Sequence, residues 1–167
     1  METLAATQII ASIVELLTEA YEGPPDPSRT WFIDNEPDSG VLGILQGVSA
    51  EEASTSVDGS GEAGTTISAH VEHLRWSLSA LNRAMRGEPF GNWEESWGLL
   101  EADQAGWDGL RSSLRSEFEM LRETLKVQTE LQEEYLSGFL ALVPHAAYHL
   151  GNIRQMAERV RQSGRDH

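Results

Sequence analysis

The chain contains no cysteine. Disulfides, thiolate zinc sites, iron–sulfur clusters and a cysteine nucleophile are therefore all excluded. Positive charge is scarce: 12 Lys and Arg stand against 27 Asp and Glu, a formal net charge of −15. That balance argues against broad contact with nucleic acid or with an anionic membrane, both of which need basic surface. Long apolar runs are missing as well. Phe139-Leu140-Ala141-Leu142-Val143 is among the longest, far short of the ~20 residues of a membrane span. Met1-Glu2 opens the chain without a basic segment ahead of an apolar one, unlike a secretory signal. These absences lead us to expect a cytoplasmic protein that binds neither nucleic acid nor membrane.

What is present suits one globular domain, 1–167. The length lies within the usual range for a single core. An apolar content of 40% with five Trp argues against global disorder. Apolar residues recur at helical spacing in four places. The first covers about 3–21, with Ile10, Ile13, Val14, Leu17 and Tyr21, and stops at the proline-rich 23–27. The second begins at Thr65-Thr66, good N-cap residues, and runs through Ile67, Val71, Leu74, Leu78, Leu81 and Met85 to Gly87. The third covers about 103–127, with Trp107, Leu110, Leu114, Phe118, Leu121 and Leu125. The last spans about 130–161, with Pro144 inside it, expected to kink it or to start a fresh helix.

Between the first two helices lies a long irregular stretch, about 24–64. A loop of that length is usually functional or partly disordered. Trp31-Phe32-Ile33 and Val41-Leu42-Gly43-Ile44-Leu45 are expected to dock on the core. Ser49 with Glu52 reads as a capping box over a short turn of helix, and 56–64 as the least ordered piece. No stretch alternates with period two long enough for a confident strand. The fold class is all-α, a four-helix bundle with a long irregular connection between helices 1 and 2.

The residues that carry chemistry are histidines. Of five, four fall in two pairs: His70 with His73, and His145 with His149. Residues three or four apart share a helix face. Two imidazoles at i and i+4, with a third ligand from a facing helix, make a metal site that keeps open positions. A lone histidine on an apolar face is more often a hydrogen-bonded core residue. Two pairs are different, because buried imidazoles cost desolvation unless each finds a partner. On the second helix the third ligand stays open between two residues. His70 lies about 40° and His73 about 100° from Leu74 at 3.6 residues per turn, which favours His70 by burial, whereas a site at the border between two helices favours His73. Glu72, between them, is a candidate acceptor for a ligand N–H, with a solvated helix position as its ordinary reading.

The segment His145-Ala146-Ala147-Tyr148-His149-Leu150-Gly151-Asn152-Ile153 resembles the H-x-x-x-H-x-G-[QEN]-I signature of the DinB/YfiT-like superfamily. Thr66-Ile67-Ser68-Ala69-His70-Val71-Glu72-His73-Leu74 is similar to that family's second helix, where a histidine followed by leucine is the first ligand. The tryptophan that often opens that helix is replaced here by Thr65. The resemblance implies an up-down-down-up bundle and a divalent ion, zinc or nickel, on His73, His145 and His149, with His70 as the alternative first ligand. It also implies a homodimer. Characterised relatives include transferases and isomerases that use low-molecular-weight thiols. A metal-dependent hydrolase or thiol S-transferase acting on a small molecule is therefore one expectation. A non-catalytic, metal- or ligand-binding homodimeric bundle is the other. Trp31, Asp34, Trp97, Tyr148 and Arg154 are candidate pocket walls, each with a plainer reading as a loop anchor, turn residue or surface group. Gly40-Val41-Leu42-Gly43 lacks the strand–turn–helix context of a phosphate loop. No G-x-S-x-G elbow occurs, and the acidic residues do not follow calcium-loop spacing.

Overall fold

The computed structural model describes residues 5–31, 34–130 and 133–164. Among them are six α-helices and two short 3-10 segments, with no strand. Four helices are long: α1 (Ala6–Glu22), α4 (Ile67–Met85), α5 (Gln104–Lys126) and α6 (Glu133–Ser163). Two are short, α2 (Val41–Ile44) and α3 (Ala50–Ser54), and lie in the stretch between α1 and α4. The long irregular connection is thus partly helical. Packing of α1 on α5 and α6, and of α4 on the same two helices, closes a ring around the core.

The helix ends follow from local chemistry. Thr66 caps α4, its side chain accepting from the Ala69 N–H, and Asp103 caps α5 through the Gly106 N–H. Ser49 accepts from the Glu52 N–H while the Glu52 carboxylate accepts from the Ser49 N–H, the capping box read from the sequence. Pro144 lies inside α6 rather than at the start of a new helix.

The centre of the ring is apolar. On α5 every buried residue is apolar: Trp107, Leu110, Leu114, Phe118, Leu121 and Leu125. Phe118 stacks on Tyr21 of α1 with ring centroids 4.7 Å apart, and burial pushes the Tyr21 phenol well above its usual pKa. Trp107 is fully buried and donates its Nε1–H to the Val48 carbonyl at 2.9 Å. Val41, Leu42 and Leu45 dock on this core as expected.

One expectation about the connection is corrected. Trp31 does not dock on the core: it is 61% exposed. Its backbone N–H donates to the buried Glu19 carboxylate, and its indole N–H donates to Glu15 Oε1. Trp31 is held there by a polar staple on α1. Phe32 and Ile33 lie outside the described residues. Segment 56–64, expected to be the least ordered, is internally hydrogen-bonded. Asp58 Oδ1 accepts from the Ser56 and Ser60 hydroxyls and from the Ser60 N–H. The Val57 N–H donates to the Thr65 carbonyl.

Candidate metal centre

Where α4 meets α6 the interior changes character. Twelve of the nineteen residues of α4 are buried, against six of twenty-three on α5, so α4 is covered on more than its core face. The extra cover is the 3-10 segment Trp93–Trp97, which packs along α4. Trp76 of α4 is 6% exposed beneath Trp93 and Phe90, meeting both rings edge-on. His70 and His73, about 60° apart around the helix, are therefore both buried, at 4% and 3% exposure.

His73, His145 and His149 converge. His145 Nε2 lies 3.0 Å from His73 Nε2 and 3.1 Å from His149 Nε2. The three histidines could hold a metal ion. Zinc–nitrogen bonds are ~2.0–2.1 Å, so two imidazole nitrogens on one ion sit about 2.9–3.4 Å apart, the spacing found here. All donors are neutral nitrogens, which suits a borderline ion such as zinc or nickel rather than calcium or magnesium. His149 is buried and His145 half-buried, so the cluster lies at the border between core and solvent.

Each neighbouring group has a definite task. The Ser96 hydroxyl donates to the Trp93 carbonyl at 2.7 Å, and His73 Nδ1 lies 2.7 Å from Ser96 Oγ. Ser96 thus accepts the His73 Nδ1–H and leaves the His73 Nε2 lone pair for the cluster. Trp97 stacks on His73 at 4.1 Å and meets His70 edge-on at 5.4 Å. Trp93 stands edge-on to His73 at 4.9 Å. Tyr148 is 65% exposed and packs edge-on against His149 at 5.1 Å. His70 does not join the three Nε2 atoms. Its Nδ1 is 2.7 Å from His149 Nδ1, on the far side of that ring, and its Nε2 is 2.9 Å from the Gly64 carbonyl.

The electrostatics favour uncharged imidazoles, the form that binds a metal. Burial, then the nearby His145 and His70, pushes His73 down to about 4. Burial and the other three histidines push His149 down to about 2. Burial also lowers His145, and lowers His70 against the opposing pull of the Gly64 carbonyl.

The other sequence candidates are engaged elsewhere. Glu72 forms a two-point pair with Arg75 at 2.6 and 2.7 Å. Arg154 donates to Asp34 Oδ2 at 2.8 Å and to the Ser39 carbonyl at 2.6 Å. Asp34 and Arg154 line a surface cavity of about 370 Å³ with Glu36, Asp38 and Glu158. Arg154 lies five residues beyond His149, about 140° around the helix, so the two face different neighbours. Sequence reasoning missed Ser96 and Gly64. Ser96 could have been noticed as the small polar residue between two tryptophans, but nothing marked the Gly64 carbonyl. Comparison with family models, with curated proteins and with solved structures finds no match.

Proposed function

We propose that the protein is a metal-dependent enzyme whose His73, His145 and His149 bind a divalent ion, zinc or nickel, and that it acts on a small molecule as a hydrolase or a thiol S-transferase. The observation that carries this reading is the convergence of three Nε2 atoms, with adjacent pairs 3.0 and 3.1 Å apart. A bound divalent ion with positions left open lowers the pKa of water or of a low-molecular-weight thiol, giving a nucleophile at neutral pH. The chain's own contribution is orientation and exclusion of water. Ser96 fixes the His73 ring, Trp97 covers its face, and half-buried His145 marks the side open to solvent. No fourth protein ligand closes the cluster among the described residues, which favours a reactive centre over a purely structural one.

We further propose, on the resemblance of the segment around His145 and His149, a DinB/YfiT-like protein with an up-down-down-up bundle, homodimeric assembly and cytoplasmic location, a reading compatible with the all-helical fold. Among the described residues no helix is long and apolar enough to cross a membrane.

The test is elemental analysis of protein purified without a nickel column. About one equivalent of metal per chain is expected in the wild type and none in His149→Ala. A wild type that arrives empty and also fails to take up added Zn²⁺ or Ni²⁺ would sink the reading. Loaded protein that is inert towards thiol-transfer and hydrolysis substrates favours a non-catalytic binding bundle instead.

A further inference from the structure

We infer that His70 is a positioning residue: it holds His149 as its Nδ1–H tautomer, so that the His149 Nε2 lone pair faces the cluster. This rests on the metal-centre reading for its purpose but not for its geometry.

The proton assignment starts at Gly64. A backbone carbonyl only accepts hydrogen bonds, so the contact of 2.9 Å with His70 Nε2 places a proton on that nitrogen. A neutral imidazole carries one N–H, so His70 Nδ1 is then a bare acceptor. His149 Nδ1 lies 2.7 Å from it, a distance that two lone pairs would not tolerate, so the proton between them belongs to His149. His149 Nε2 is left unprotonated, 3.1 Å from His145 Nε2. The chain of contacts runs Gly64 carbonyl, His70, His149, cluster. It parallels Trp93 carbonyl, Ser96, His73, cluster. Two of the three ligands are thus set from backbone carbonyls outside the helices that carry them.

A histidine in this role differs from the carboxylate that commonly orients a metal-bound imidazole. It brings no negative charge, so the groups on the Nδ1 atoms of His73 and His149, Ser96 and His70, are both neutral. An ion held here keeps its full charge for whatever anion fills the open positions. His70 also ties the centre to segment 56–66, through the Gly64 carbonyl at the foot of that segment.

Three variants separate the roles. In His70→Asn the side-chain oxygen sits where Nδ1 was and still accepts from His149. In His70→Gln the amide reaches the Gly64 carbonyl but leaves His149 unmatched. In His70→Leu both contacts are lost while bulk is kept. Competition titration with Zn²⁺ is expected to show binding weakened about 10–100-fold in the Leu and Gln variants, the range seen when such partners are removed, and restored to within a few-fold of wild type by Asn. Co²⁺ absorption spectra should be alike in wild type and Asn. Equal Zn²⁺ affinity in wild type and Leu, or an Asn variant as weak as Leu, would overturn the role. So would a Co²⁺ spectrum that loses a nitrogen ligand in Asn, since His70 would then bind metal itself. The tautomers are read independently from imidazole ¹⁵N shifts of metal-free wild type. His149 protonated at Nδ1 and His70 at Nε2 is expected, and the reverse at His149 refutes the inference. If wild type binds no Zn²⁺, the metal reading fails, while the nitrogen shifts still decide the lock.

Discussion

The helices α4 and α5 pack side by side in one bundle, yet they bury opposite chemistry. On α5 the inward stripe is wholly apolar and its neighbours are Tyr21, Leu17 and the aliphatic residues of α1 and α4. On α4 the buried set includes Ser68, His70, His73, Ser77 and Asn82. Position on the apolar helix is set by close packing, which specifies no orientation of charge or proton. Position on the polar helix is set by hydrogen bonds, because a buried polar group left without a partner costs free energy. Ser77 and Ser68 illustrate this, donating to the His73 and Leu100 carbonyls at 2.6 Å. The contrast points to a division of labour, with packing stability drawn from the α1–α5 side and the proposed metal centre placed on the α4–α6 side.

The sharpest way to break that contrast is one substitution on each side. Phe118→Ala removes a fully buried ring and its stack on Tyr21, and should cost about 3–5 kcal/mol in urea unfolding. Protein still folded at low temperature should take up metal as the wild type does. His145→Ala should do the opposite, abolishing metal uptake while the metal-free protein loses less than about 1 kcal/mol, since a half-buried imidazole is traded for relief of crowding. If Phe118→Ala also lost the metal at temperatures where it is folded, the two sides would not be separable.

Acid sharpens the comparison next. Burial first, then the nearby His145 and His70, pushes His73 down to about 4 in the fold, against about 6.5 when unfolded. Its lowered value means that the neutral form is the stable one. The contribution is fully present above 6.5 and lost as pH falls from 6.5 towards 4. At ~1.4 kcal/mol per pH unit the loss reaches about 3 kcal/mol for metal-free protein. Urea midpoints between pH 7.5 and 5 should fall in the wild type and stay flatter in His73→Leu. An equal slope in both would assign the acid sensitivity to other groups.

A smaller effect probes the outer support of the centre. Gly64 has φ +85, and a Cβ there would meet Trp97 only at ordinary contact distance. Gly64→Ala is therefore a test of backbone conformation alone, with an expected loss of about 1–2 kcal/mol. If the Gly64 carbonyl matters to the centre, Zn²⁺ affinity drops a few-fold as well; stability lost with affinity unchanged would confine the glycine to loop geometry.

Much of this arrangement is legible in the sequence, for physical reasons. Apolar spacing reveals the four long helices because burying a stripe drives their packing more strongly than any other interaction, and Ser49 with Glu52 announces a cap because that chemistry is local. The convergence of His145 and His149 follows from i, i+4 geometry. The choice between His70 and His73 is not legible from the helix itself. Angles around α4 decide burial only if the helix has one buried face, whereas Trp93–Trp97 buries a second, and that segment is distant in sequence. Gly64 and Ser96 act through tertiary contacts, one of them by a backbone carbonyl, which no pattern of side chains can signal. Trp31 misleads because an indole in an apolar triplet looks like a core anchor, while the buried partner of its backbone, Glu19, lies in another element.

The smallest expected effect concerns two polar positions of α6, His149 and Arg154. His149 is buried with both ring nitrogens engaged, whereas Arg154 reaches outward to Asp34 and the Ser39 carbonyl. Asp34 is mostly exposed, and pairs of that kind contribute ~0–1 kcal/mol. Arg154→Ala should therefore shift the urea midpoint only slightly and leave Zn²⁺ uptake unchanged. Its visible consequence should be local: the carbonyl of Ser39 and the carboxylate of Asp34 lose their anchor on α6, so limited proteolysis within 24–40 should speed up. Protection that is unchanged would mean that Glu19, through the Trp31 N–H and the Thr30 hydroxyl, holds this segment without help from α6. A marked loss of Zn²⁺ affinity would be the more serious result, because it would join the outward face of α6 to the centre and erase the distinction between these two polar positions.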